Sequence, residues 1–138
     1  MLILAALVLA AGAAATPASA PLERFKALAG DWIAAEDGDM VKKGDLVTTV
    51  YHADGPDLVP THYCMEGNQP RMRAKGAQGP RFDFAFDGGT HIDQSRDRHM
   101  HSAVVDLAGP DEIRSQWNEI AGGKTVFVAR MHLVRKTR

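Results

Sequence analysis

Cysteine is almost absent from this chain. Cys64 is the only one among 138 residues, so no intrachain disulfide can staple the fold. Burial alone must hold it together, even in an oxidising compartment. An excess of charge of either sign is missing too: 16 Lys and Arg stand against 17 Asp and Glu. That balance argues against a nucleic-acid partner, whose phosphates demand a basic face. The basic stretch Arg135-Lys136-Thr137-Arg138 is too short for such a face and reads as a solvated terminus. No phosphate-binding loop, dinucleotide fingerprint or Ser-His-Asp signature is present. Nothing after residue 20 repeats internally or falls to low complexity.

What the chain does have begins with an apolar leader. Met1 to Ala20 carries no charged side chain, and its core from Leu2 to Ala15 is Leu, Ile, Val and Ala with one Gly. Thr16-Pro17 breaks the run, and Ala18-Ser19-Ala20 has the small-x-small form that a signal peptidase cuts after. The run is shorter than the roughly 20 residues that span a bilayer. No Lys or Arg precedes it, which leaves an uncleaved anchor as the alternative. The expectation is a signal peptide over 1–20, one domain over 21–138, and a bacterial periplasmic or extracellular protein with no stable membrane insertion after cleavage.

Pro21 to Ala29 reads as a short helix. Pro suits its first turn, Glu23 its positive end, and Gly30 the position after it. Leu22, Phe25 and Leu28 make one apolar stripe at a spacing of three. Beyond Trp32 the period becomes two. Strands are expected over Asp45–His52, Leu58–Met65, Arg71–Lys75, Arg81–Asp87, His99–Leu107, Glu112–Ile120 and Thr125–Val134, with one more at Trp32. Gly, Pro, Asp and Asn fill the gaps, each a turn former. The fold class is therefore all-β: an antiparallel up-and-down β-barrel, closed so that no edge stays open, with a short N-terminal helix.

Leu28-Ala29-Gly30-Asp31-Trp32 resembles the opening of a calycin, the lipocalin-like barrel. The resemblance implies that Trp32 plugs one barrel end with Arg135 or Arg130 over its face, where indole and guanidinium attract. Thr61-His62-Tyr63-Cys64-Met65-Glu66-Gly67-Asn68-Gln69-Pro70-Arg71-Met72, with His99-Met100-His101 and Trp117, is similar to a group of uncharacterised secreted bacterial proteins. A further resemblance, to nitrobindin-like haem barrels, implies His132 as an axial ligand of haem iron.

Alternation pairs the candidate site residues. His62 and Cys64 share one strand face, and His99 and His101 share another with Ala103, Val105 and Leu107. If the pairs converge, His62, Cys64, His99 and His101 offer imidazole and thiolate to Zn²⁺ or Cu²⁺. Alternatively they are satisfied core polar groups. Cys64 beside His62 is either an activated thiol or a buried structural one. Arg71 and Arg73 share a face: turned inward they would bind a carboxylate or phosphate, and turned outward they are solvated charges. Phe82, Phe84 and Phe86 form a core or cavity wall, and Trp117 shares an internal face with Ile113 and Ser115. The expected function is binding of a small, partly apolar ligand, with His62, Cys64, Arg71, Arg73, His99, His101 and Trp117 as candidate contacts. A metal- or thiol-dependent enzyme, or haem binding through His132, is the alternative. The sequence names no cofactor.

Overall fold

The computed structural model describes residues 20–34, 48–76 and 79–136. The leader expected over 1–20 lies outside them except for Ala20. One short helix, α1 (Ala20–Lys26), precedes eight strands: β1 (Trp32–Ala34), β2 (Thr48–Asp54), β3 (Asp57–Tyr63), β4 (Gln69–Arg73), β5 (Arg81–Thr90), β6 (His99–Gly109), β7 (Glu112–Ala121) and β8 (Lys124–Arg135). No helix among them is long and apolar enough to cross a membrane.

The strands form one antiparallel up-and-down sheet in the order β1-β8-β7-β6-β5-β4-β3-β2. Every sheet neighbour from β2 to β8 is also a chain neighbour, as hairpin-length turns dictate. The exception is β1, which pairs with β8 through Trp32 and Arg135, Ile33 and Val134, and Ala34 and Leu133. The sheet has two edges among the described residues, β1 and β2, and they are not hydrogen-bonded to each other.

The sheet coils strongly on itself. Adjacent strands lie about 4.8 Å apart, so on a flat sheet β3 and β7 would be roughly 19 Å apart. Instead the His62 ring on β3 sits 5.7 Å from the Trp117 ring on β7. Tyr51 on β2 and Phe84 on β5, three strands distant, have ring centres 6.1 Å apart. The concave face collects Leu58, Met72, Phe82, Phe84, Ala103, Val105, Ile113, Trp117 and Ala129. Helix α1 lies over this face with Leu22 and Phe25 turned into it, and Leu28 in the following turn continues the stripe. Phe25 is the pin of that contact, 4.5 Å from Tyr51 and 4.9 Å from Phe82, while Arg24 covers the Phe82 ring at 4.6 Å.

The helix-to-strand corner is tied by Trp32 and Arg135. Trp32 Nε1 donates to the Leu28 carbonyl at 2.8 Å, and the Arg135 guanidinium lies 4.5 Å over the indole. Arg135 also donates to the carbonyls of Ala29 and Pro110 and pairs with Asp111 at 2.8 Å. Gly30 sits at φ 141°, and a Cβ there would meet Arg135 Nη1 at 2.7 Å. The motif thus needs a glycine for its backbone, and a larger residue would also push the Arg135 guanidinium aside. Of the two basic candidates Arg135 takes the role, and Arg130 is exposed on the far face. Trp32 is half-buried rather than wholly internal.

Candidate ligand-binding site

A cavity of about 710 Å³ opens between α1 and the concave face. Its walls are Leu22 and Phe25 from α1, Leu28 from the turn after it, Thr49 and Tyr51 from β2, and Val105, Ile113, Trp117, Met131 and Leu133 from β6 to β8. Alternation explains the lining on β8: Met131 and Leu133 point in, two residues apart. The volume falls in the ordinary range for small-molecule sites, as does the mostly apolar wall. Burial pushes the Tyr51 phenol far above its usual range, so it stays protonated.

Some buried polar atoms of the sheet have no partner. Trp117 Nε1, His62 Nε2 and Asn68 Oδ1 are buried without a hydrogen bond. His62 Nδ1 is engaged with Thr49 Oγ1 at 2.9 Å, and Asn68 Nδ2 donates to the Arg98 carbonyl at 2.7 Å. Glu119, which is buried, receives Arg98 at 2.7 Å. An unpartnered buried donor costs about 1–3 kcal/mol, so each such atom is a place where a bound molecule gains from contact. Trp117 Nε1 is the one whose ring also lines the cavity.

Burial holds the His62 pKa below its ordinary 6.5, and the nearby Glu119 carboxylate only partly opposes it. The folded state therefore disfavours the imidazolium, while the unfolded chain takes up the proton near 6.5. Stability is full above that pH and falls as pH drops towards the depressed folded value. His101 is lowered in the same sense, by burial first and then by His99. The thermal midpoint is expected to fall on going from pH 7 to pH 5, and His62→Gln to show a shallower fall. Equal slopes for the two proteins would show that His62 is not the coupled group.

The four expected metal ligands do not come together. Among the described residues no three or more His, Cys, Asp or Glu side chains are arranged to hold a metal ion. His99 and His101 stay together on Phe86 although β6 carries a break in alternation there. Between the pairs Met100–Glu119 and Ser102–Asn118, β6 advances two residues while β7 advances one, so His101 is the extra residue of a bulge. Met100 thereby packs against the core. His99 Nδ1 meets the Asp97 carbonyl at 2.8 Å, and a carbonyl only accepts, so that nitrogen carries the proton. His99 Nε2 then faces His101 Nδ1 at 3.4 Å, and both rings pack on Phe86. His62 instead faces Trp117. Cys64 sits in the turn after β3, half-buried, where burial pushes its thiol up despite backbone N–H groups of Glu66 and Met65. A raised thiol pKa is the opposite of what a nucleophile needs.

Arg71 and Arg73 lie on the convex face, since Met72 between them is fully buried on the concave one. Arg73 is already held by Asp54, Asp57 and Asp87 at 2.9–3.0 Å, and Arg71 donates to the Asp87 carbonyl at 2.9 Å. They do not reach the cavity. His132 also points outward, opposite to Met131 and Leu133, with its Nε2 2.9 Å from the Glu112 carboxylate. An axial ligand for an enclosed haem would have to point the other way. Of the expected contacts, Trp117 alone lines the cavity. Thr49, Tyr51 and the β8 pair were not anticipated. The apolar alternation of Met131 and Leu133 could have singled out the latter.

No protein-family model matches the chain, and neither a curated protein nor a solved structure matches it.

Proposed function

We propose that this protein is a calycin-like barrel, exported on its apolar leader, that binds a small, partly apolar molecule between α1 and strands β6 to β8. The observation that carries the reading is the cavity of about 710 Å³ with an apolar wall that includes Trp117, whose buried indole N–H has no partner. Barrel closure fits the strong coiling of the sheet and the pairing of β1 with β8, the arrangement an up-and-down barrel requires.

Titration with N-phenylnaphthylamine, a dye that fluoresces in apolar surroundings, tests the reading. Saturable binding at one site per chain is expected. Met131→Trp places a large ring in the cavity and is expected to weaken binding at least about tenfold with little loss of stability, because Met131 is only partly buried. Dye binding unchanged by that substitution would place the apolar site elsewhere and overturn the assignment.

A further inference from the structure

Trp117 and His62 are each more than nine-tenths buried, their rings 5.7 Å apart, and each carries one ring nitrogen without a partner. An indole N–H only donates, so whatever satisfies Trp117 must present an acceptor atom. His62 is more permissive. If the Thr49 hydroxyl donates to Nδ1, then Nε2 carries the proton and donates; in the other tautomer Nε2 accepts. An alcohol oxygen serves Trp117 and either form of His62, and a carbonyl oxygen serves the first.

The surrounding charges argue against an anion. Arg98 is committed to Glu119 at 2.7 Å and approaches Glu66 at 3.6 Å. Lys26, the cation in the cavity wall, is bonded to Glu23 at 2.7 Å and lies largely in solvent. The buried Glu119 carboxylate acts on His62 and would repel a second carboxylate there.

We propose, resting on the ligand-binding reading above, that the cavity selects an uncharged amphiphile. Such a molecule has an apolar body and one terminal alcohol or carbonyl oxygen, which accepts from Trp117 Nε1. The apolar residues of α1, β6 and β8 hold the body, and Trp117, with the His62 ring packed 5.7 Å from it outside the cavity wall, reads the head.

Decane, decanol and decanoate have equal chain length and differ at the head. Each is used to displace N-phenylnaphthylamine from the full protein. Decanol is expected to compete at concentrations about tenfold lower than either of the others, the ratio one buried hydrogen bond supplies. Trp117→Phe is expected to abolish that preference, read as the ratio of decanol to decane competition whatever the substitution does to the dye's own affinity. The unmutated protein supplies a second readout through its two indole N–H resonances in nuclear magnetic resonance spectra. The Trp117 signal is expected to move with decanol and not with decane. The Trp32 signal, tied to the Leu28 carbonyl at 2.8 Å, stays in place as the internal control. Failure of the dye to bind would overturn the ligand-binding reading itself. Dye binding with no preference for decanol, with decanoate preferred, or with a still Trp117 resonance would leave that reading standing and overturn the head-group assignment. If Trp117→Phe does not fold, the resonance shift decides.

Discussion

Phe84→Ala is expected to lower the unfolding free energy by about 3–5 kcal/mol in urea denaturation, the range for removing a fully buried aromatic ring. Phe84 is 2 % exposed and holds three other rings in place. It stacks at 12° on Phe82 with centres 6.1 Å apart, meets the edge of Phe25 at 6.4 Å, and faces Tyr51 across the concave side. The lost ring leaves a hole between the sheet and α1, and a seven-residue helix has too few contacts of its own to follow the collapse. Asp83→Ala is the matched control one residue away. Asp83 points out, paired with Arg81 in solvent, and its loss is expected to change stability by no more than about 0.5 kcal/mol. A loss at Phe84 below about 1.5 kcal/mol would show that the concave face is not the core.

The second large effect is expected at the corner. Trp32→Ala is expected to destabilise by about 3 kcal/mol, the lower end of the range for a large ring, because Trp32 is only half-buried. Part of that loss belongs to Arg135, whose guanidinium lies 4.5 Å above the ring. In a double-mutant cycle with Arg135→Ala, the two losses are expected to fall short of additivity by about 0.5–2 kcal/mol, the worth of a cation–π contact at this exposure. Full additivity would mean that Arg135 acts through its carbonyl and Asp111 contacts alone.

The all-β class, the antiparallel up-and-down order and nearly every strand were legible because turn chemistry and period-two alternation act locally. Phe82 and Phe84 alternate with Asp83 and Ala85, and the chain obeys: both aromatic side chains are buried and their neighbours exposed. The Gly30-Asp31-Trp32 corner was legible for a similar reason, since a glycine beside a tryptophan is a local signal of a tight approach. The convergence of the two polar pairs was expected and does not occur. Alternation pairs His99 with His101, whose rings do meet 5.6 Å apart on Phe86, but it gave no sign of the extra residue at His101 or that His62 turns to Trp117 instead. A bulge leaves no mark in a single sequence when no glycine announces it. The solvated reading of Arg71 and Arg73 follows from the same alternation: Gln69, Arg71 and Arg73 form one set of β4, and Pro70 and Met72, both buried, form the other. His62 meeting Trp117 depends on how far the sheet coils, a property of eight strands together.

The pairing of β1 with β8 also governs when the fold can form. Every other strand finds its partner within one hairpin, but Trp32 must wait for Arg135. Joining ends about a hundred residues apart carries about 2 kcal/mol more loop-closure entropy than joining ends about ten apart. Contacts of such long range slow folding, and here they are also the last to be synthesised. Until β8 exists, α1 and Trp32 have no Arg135 to tie them down, and the apolar stripe of the helix has only half of its seat. The nascent chain can therefore pair β2 to β7 and gather most of the core as it emerges, whereas α1 and β1 gain their seat only once the final strand arrives.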